Sequence, residues 1–393
     1  LQLRRLAVQM PIACIAIDEA HCVSEWGHDF RTSYLNIARN ARSICSHQGI
    51  APPLLALTGT ASRSVLRDVQ RELEINDPDA IITPQSFDRK ELQFRIQRCK
   101  SSEKSVVLQG ILAKTAQAFN QDVTRFFTPK GADSNCCIIF TPHTNAKYGV
   151  FEAADAAGSA TSLEVGVYSG KPPKGTEQHQ WNSEKRRNAD RFKSNIITLL
   201  ASTKAFGMGV DKPNIRSTVH FNIPASIESL YQEAGRAGRD RQPSLCWVIL
   251  SDETTQRHSE ILDPRTPIEE LHQIVDRFGY QDSDDILRML YFHIMSYKGI
   301  AAETQQVQEV LEQLEPINEP HTIDLPWRNR QHDLEKPLHR LLTIGVVSDY
   351  TVDYSKQEIR VDVHGASHEE ITRSLHSYLS NFHRRAARDQ AEE

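Results

Sequence analysis

The segment Ala13-Cys14-Ile15-Ala16-Ile17-Asp18-Glu19-Ala20-His21 is an apolar run that ends in two adjacent carboxylates. A buried strand of this kind delivers Asp18 and Glu19 to the edge of a sheet, where α/β proteins place their ligands. The pair suits phosphate chemistry. Asp18 offers hard oxygens to Mg²⁺ on nucleotide phosphates, usually through water, and Glu19 can polarise an attacking water. Taken alone, an Asp-Glu dipeptide after an apolar run is more simply a strand meeting solvent. The next residues, Cys22 to Arg31, carry Trp26, Gly27, His28, Phe30 and Arg31. That mixture makes a poor core segment and suits a loop that stacks bases and reports their presence to the phosphates. Singly, Trp26 and Phe30 would be packing anchors.

Further along, Arg236 and Arg239 lie three apart in Tyr231-Gln232-Glu233-Ala234-Gly235-Arg236-Ala237-Gly238-Arg239-Asp240. From one helical turn they can point the same way. Guanidinium groups fit phosphate oxygens bidentately and keep their charge. An arbitrary arginine pair is a solvated charged turn. Gly207 and Gly209 allow the backbone to approach a ligand closely, although two such glycines alone are an ordinary turn. Thr58 and Thr60, in Leu55-Ala56-Leu57-Thr58-Gly59-Thr60-Ala61, are hydroxyls that elsewhere serve as caps or turn residues.

Read as continuous strings, these segments resemble the motifs of RecQ helicases. DEAHCVSEWGHDFR resembles the family's second motif and its aromatic-rich loop, which implies nucleotide roles for Asp18, Glu19 and His21. It also implies coupling to DNA through Trp26, His28, Phe30 and Arg31. LALTGTA resembles the third motif, with Gly59 where Ala is commoner, and places Thr58 and Thr60 between the carboxylates and DNA. Ile139-Phe140-Thr141-Pro142-His143-Thr144 resembles the fourth, with Thr141 suited to backbone phosphates. The fifth is matched by Ser202 to Gly209 with Thr203, Gly207 and Gly209, followed by Asp211 on the nucleotide side. The sixth implies that Arg239 is the arginine finger, with Gln232 and Arg236 at the nucleotide. The match runs from about Ile12 to Leu250. It implies an ATP-dependent, Mg²⁺-using motor that moves 3′–5′ on single-stranded DNA and opens forked duplex, with two RecA-like domains closing on ATP.

The elements that must position these residues are α/β in pattern. Short apolar runs at Ile12–Ile17, Leu54–Thr58, Cys136–Phe140, Ile196–Ala201, Ser217–Phe221 and Leu245–Leu250 read as strands covered on both faces. Gln85–Ile96 reads as extended. The expected architecture is two RecA-like parallel-sheet domains, the first incomplete, then a helical region and a winged-helix-like unit. The expected bounds are 1–95, 96–252, 253–325 and 326–393. In the last unit Asp333 can cap a helix with Leu334, Leu338, Leu341 and Leu342 on one face and Gly345 at its end. Thr351–Asp353 and Ile359–Val363 alternate like two strands. A last helix, Glu369–Arg388, closes the chain with Arg384, Arg385 and Arg388. Ser183–Lys193 holds five bases against two acids, as readily a solvated helix face as a DNA contact.

Composition bounds this reading without deciding it. The chain has 393 residues, 39% hydrophobic and 25% charged, and a net charge of −5, so any nucleic-acid track must be local. No apolar run reaches ~18 residues. The opening LQLRRLAVQMPIACIAI imitates a signal peptide but runs into the carboxylates without a cleavage site. Seven scattered cysteines form no C-x-x-C pair, which argues against a zinc site and for reduced thiols in the cytoplasm, at the nucleoid in a bacterium. Two departures from the family stand out. No G-x-x-x-x-G-K-[ST] occurs. The chain starts with Leu1, which suggests a beginning within a longer gene, and this polypeptide alone is expected to be inactive. Thr254–Leu325 has no cysteine where RecQ proteins usually place a four-cysteine zinc subdomain, so a helical unit is expected to carry the winged helix, which could serve protein partners. The alternatives are a superfamily 2 RNA helicase and a degenerate, DNA-binding adaptor. The aromatic loop disfavours the first; the intact carboxylates and arginines disfavour the second.

Overall fold

The computed structural model describes residues 6–7, 9–25, 36–59, 62–75, 77–83, 88–206, 211–278, 284–296, 299–315, 319–325, 331–353 and 356–380. They group into two units, one formed by Leu1–Thr83 with Ser296–Glu393 and the other by Pro84–Met295.

The first unit begins with β1 (Ile15–Ile17), which pairs in parallel with β2 (Leu54–Ala56), Ile15 opposite Leu54. Their inner face packs through Ile17, Ala20, Val23, Ala38, Val65, Val69 and Leu73 onto the helices Cys22–Glu25, Ile37–Cys45 and Arg63–Glu72. Both strands are shorter than the apolar runs suggest. In this register Pro52 and Pro53 would oppose the residues before Ile15, and proline has no N–H to extend a ladder.

The second unit is a parallel sheet of six strands: β3 (Leu92–Cys99), β4 (Cys136–Phe140), β5 (Val165–Tyr168), β6 (Leu199–Ser202), β7 (Ile215–His220) and β8 (Ser244–Ser251). The order is β3-β8-β7-β4-β6-β5. One face, with Cys137, Ile139, Val219, Trp247 and Ile249, is covered by the helices Lys104–Ala118 and Val150–Thr161. The other, with Cys136, Ile138, Phe140, Leu200 and Cys246, receives Ala189 and Phe192 of the helix Gln178–Lys193. That helix is the basic stretch 183–193, and Arg191 is paired with Glu164. Two strands escaped the apolar pattern. β3 is an edge strand with mostly exposed side chains. β5 has four residues and contains Gly166, where a Cβ would stand 2.4 Å from Ile197 Cδ1.

Three helices, Thr255–Ile261, Ile268–Phe278 and Asp285–Ser296, complete this unit around Ile261, Ile274, Val275, Leu287 and Ile294. A buried ionic network ties the last of them to the sheet. Lys104 Nζ donates to the Phe221 carbonyl at 2.7 Å and to both Asp285 oxygens at 2.8 and 2.6 Å. Asp285 also accepts from Asn222 Nδ2, the Ser251 N–H and Arg288.

The rest of the first unit is the helix Ile300–Glu312, β9 (Pro320–Asp324), the helix Gln331–Thr343, β10 (Val347–Asp353), β11 (Glu358–Val363) and the helix His368–Ser380. The strands form an antiparallel sheet in the order β10-β11-β9. Leu338 and Leu341 are buried against Ile359 and Val361, as the helix-then-hairpin pattern predicts. Gly345, at φ +82°, ends the helix, and the Val346 N–H returns to the Leu341 carbonyl at 2.9 Å. The helix starts at Gln331, so Asp333 is not its cap, a shift of the size that helix ends commonly show. β9 was hidden in a Pro-rich connector because Pro320 stands at its first position on a sheet edge, a place where a missing N–H is tolerated. β10 lies beside the helix Ile37–Cys45, with Arg39 Nη2 donating to Asp349 at 2.9 Å. Arg384, Arg385 and Arg388 fall outside the described residues.

Candidate active site

In the first unit the carboxylates sit on a turn that leaves the C-terminal end of β1. The Leu57 N–H donates to the Ile17 carbonyl, and the Ala20 N–H to the Leu57 carbonyl, each at 2.9 Å, so the turn is sewn to the strand end. Asp18 Oδ1 accepts the Glu19 N–H at 2.9 Å. Glu19 takes a left-handed φ of +51°. Such a conformation costs a non-glycine residue about 1–3 kcal/mol and gathers at functional sites. It leaves Asp18 exposed and turns the Glu19 side chain back toward the imidazole of His21, with Oε2 3.3 Å from Nδ1. The same Nδ1 lies 3.0 Å from Thr58 Oγ1. His21 is 4% exposed, so a buried imidazole stands between a carboxylate and a hydroxyl that are 39 residues apart in neither strand but meet where both strands end.

These residues fit a hydrated Mg²⁺. Asp18 and Glu19 present hard oxygens at a sheet edge, and such an ion keeps several waters beside one or two carboxylates and phosphate oxygens. Among the described residues no cluster of three or more potential ligands would make an all-protein cage. Trp26, His28, Phe30, Arg31, Thr60, Gly207 and Gly209, all named from the sequence, lie outside the described residues.

In the second unit Thr141 and Thr203 follow β4 and β6 at the same sheet edge. Both are buried: the Thr141 N–H donates to the Ser202 carbonyl at 2.8 Å, and the Thr203 N–H to the Tyr168 carbonyl at 3.1 Å. The Thr141 hydroxyl is taken up by the His143 carbonyl at 3.3 Å. Asp211 is exposed and accepts from Arg239 Nη1 at 3.1 Å. Its neighbour Lys212 is buried beside Asn195 and the Phe192 ring, and burial pushes its ammonium pKa down.

The arginines ride on a turn after the helix Ile227–Ala234, which Ser226 caps by accepting the Ser229 N–H at 3.0 Å. Because this helix ends at Ala234, Arg236 and Arg239 do not share a helical face. Arg236 is 8% exposed, whereas the Arg239 side chain is 36% exposed. Gln232, on the last helical turn, is half-buried. Both glycines of the turn are sterically required. A Cβ on Gly235 would meet the Tyr231 carbonyl at 2.8 Å, and Gly238, at φ +61°, would meet Glu91 Cγ at 2.9 Å. Sequence reasoning missed what surrounds this turn: Arg89 and Glu91 on one side, and Arg216 paired with Asp240 on the other. Asp88-Arg89-Lys90-Glu91 reads as a solvated charge run, and nothing local marks it otherwise.

Comparison with known proteins agrees with the motif strings. The helicase conserved C-terminal domain family matches residues 120–241. The chain is 35% identical over 245 residues to the ATP-dependent helicase wrn-1 of Caenorhabditis elegans, covering 61% of this chain and 20% of that protein. It is 28% identical over 295 residues to the ATP-dependent DNA helicase RecQ of Bacillus subtilis, covering 73% and 44%. It is 32% identical over 295 residues to the mouse bifunctional 3′-5′ exonuclease/ATP-dependent helicase WRN, covering 73% and 19%. The chain therefore spans less than half the length of each of these relatives. By its motifs, its parallel α/β fold and these likenesses, the chain is similar to the RecQ-like helicases of superfamily 2.

Proposed function

We propose that these residues belong to an ATP-dependent DNA helicase that moves 3′–5′ along single-stranded DNA and separates forked duplex. The observation that carries this reading is the contact series Glu19–His21–Thr58. It joins the carboxylate pair to the hydroxyl segment that follows β2, and a motor needs such a link between hydrolysis and its track. Asp18 would hold nucleotide-bound Mg²⁺ through water, and the ion would neutralise charge on the phosphates. Glu19 orients and deprotonates the attacking water, with His21 fixing the carboxylate in place. In the second unit Arg239 serves as the finger for transition-state charge, a role that in such enzymes contributes about 10³–10⁵ in rate. Arg236, Gln232 and Asp211 serve the nucleotide beside it. Relatives named as DNA helicases favour DNA over RNA. Among the described residues no helix is long and apolar enough to cross a membrane.

The 393 residues contain no glycine-rich loop ending in Gly-Lys-Ser or Gly-Lys-Thr, so a polypeptide of these residues alone is proposed to be inactive. The test therefore uses a protein in which they follow such a loop in frame. Duplexes with a 3′ tail, a 5′ tail or an RNA tail of the same sequence are offered with ATP. Unwinding of the 3′-tailed DNA, lost in Arg239→Ala, is expected. Preference for the 5′ tail or for RNA, or wild-type unwinding by Arg239→Ala, would refute the corresponding part of the proposal.

A further inference from the structure

Arg89 stands just before β3, its carbonyl accepting the Leu92 N–H at 2.9 Å. Its guanidinium crosses to the arginine turn. Nη1 donates to the Gly235 carbonyl at 3.4 Å, and Nη2 to the Ala237 and Gly238 carbonyls at 3.1 and 3.2 Å. These carbonyls belong to the turn just beyond the helix that ends at Ala234, and a cation there also meets the negative end of the helix dipole. Arg89 supplies that charge from a distant part of the chain. Glu91 grips Arg89 at Nε, lies 3.4 Å from Arg241 Nη1, and has a side chain only 7% exposed. A backbone hydrogen bond holds the Glu91 carboxyl below the usual carboxylate range, with Arg89 adding to this against the effect of burial.

A surface ion pair between Arg89 and Glu91 would leave the guanidinium fork turned to water. Here the fork is spent on three carbonyls of one turn, those of Gly235, Ala237 and Gly238, and Glu91 Cγ fills the space that Gly238 leaves open. A lysine ammonium lacks the planar fork to serve these acceptors together. We propose that Arg89, held by Glu91, is a positioning residue that fixes the backbone of residues 235–238 and thereby sets where Arg236 and Arg239 meet phosphate. This rests on the reading of those two arginines as phosphate ligands.

Hydrogen exchange by mass spectrometry on residues 1–393, comparing wild type with Arg89→Ala and Arg89→Lys, tests the clamp without any activity. Peptides over 235–241 are expected to exchange roughly tenfold faster in Arg89→Ala, with partial recovery in Arg89→Lys and no change in β4 and β7. In the nucleotide-hydrolysing protein that contains these residues, kcat for ATP is expected to fall about 10²-fold in Arg89→Ala with KM nearly unchanged, since a small misplacement of a catalytic group costs that much. Unchanged exchange at 235–241 overturns the clamp whatever the turnover. Faster exchange with wild-type kcat overturns the link between the clamp and phosphate chemistry, whereas the role of Arg239 itself falls only if Arg239→Ala also turns over as wild type does. If Arg89→Ala does not fold, Arg89→Lys carries the same comparison.

Discussion

Removing Asp285 should damage the second unit far more than removing Lys104, although the two are ion-pair partners. Both side chains have 0% exposure and Arg288 has 4%. Asp285 is the carboxylate that both cations touch, at 2.6 Å from Lys104 and 2.8 Å from Arg288. Both cations also lie over the Tyr148 ring, with Lys104 Nζ 5.7 Å and Arg288 Cζ 4.1 Å from its centroid. In Asp285→Asn the two positive charges remain buried without the carboxylate they share, and breaking a buried pair in that way costs about 3–5 kcal/mol. In Lys104→Met, Asp285 keeps Arg288, Asn222 Nδ2 and the Ser251 N–H. The ammonium that is lost is one whose pKa burial already pushes below the ordinary lysine value, against the pull of Asp285. The loss there is mainly hydrogen bonds, about 1–2 kcal/mol. Urea unfolding, followed by the fluorescence of Trp181 and Trp247 with Trp26 and Trp327 replaced by Phe, isolates this unit. With a slope of about 2–3 kcal/mol per M, Asp285→Asn should lower the midpoint by roughly 1–2 M and Lys104→Met by less than half as much. Equal shifts, or a larger one for Lys104→Met, would show that the shared carboxylate does not organise the network.

Three further outcomes follow from particular residues. Gly238→Ala places a Cβ at φ +61° and 2.9 Å from Glu91 Cγ, so the same urea assay should show a loss of about 1–3 kcal/mol, and an unmoved midpoint would contradict the close approach. Alkylation with iodoacetamide at pH 8, read by peptide mass, should reach the exposed Cys14 while sparing Cys136, Cys137 and Cys246; burial pushes these thiols up to about 11, 12 and 11. Rapid native labelling of any of those three would show that the sheet is open. Glu91, whose carboxyl is held below its usual value of 4.5, contributes stability that is complete above that value and is lost as pH falls through the lower folded value. The stability gap between wild type and Glu91→Gln should therefore be full at pH 6 and close toward pH 3; a gap independent of pH would remove the carboxylate from the account.

What was legible in the sequence was what is contiguous in it. β4 and β8 are apolar runs covered on both faces, and periodicity finds them. The carboxylates, the hydroxyl segment and the arginine turn are contiguous strings that can be located without coordinates. β3, β5 and β9 were obscured by an exposed edge pattern, a glycine in a strand of four residues, and a proline at the first position. The arginine spacing misled, because the helix stops at Ala234 before either arginine is reached. The Arg89 clamp joins groups separated by 146 to 149 residues, and the His21–Thr58 contact spans 37. Pairings of that range depend on how strands are ordered in a sheet, which local residue types do not record.

Glu19, seated by His21 at the end of β1, is proposed to activate water for hydrolysis of ATP in a motor driven by DNA. Steady-state ATP turnover with and without single-stranded DNA, in a protein that carries these residues behind a phosphate-binding loop, tests it most directly. Glu19→Gln is expected to bind nucleotide as wild type does and to lose about 10²–10⁴ in DNA-stimulated kcat. Wild-type turnover in Glu19→Gln, or turnover indifferent to DNA in the unsubstituted protein, would contradict it.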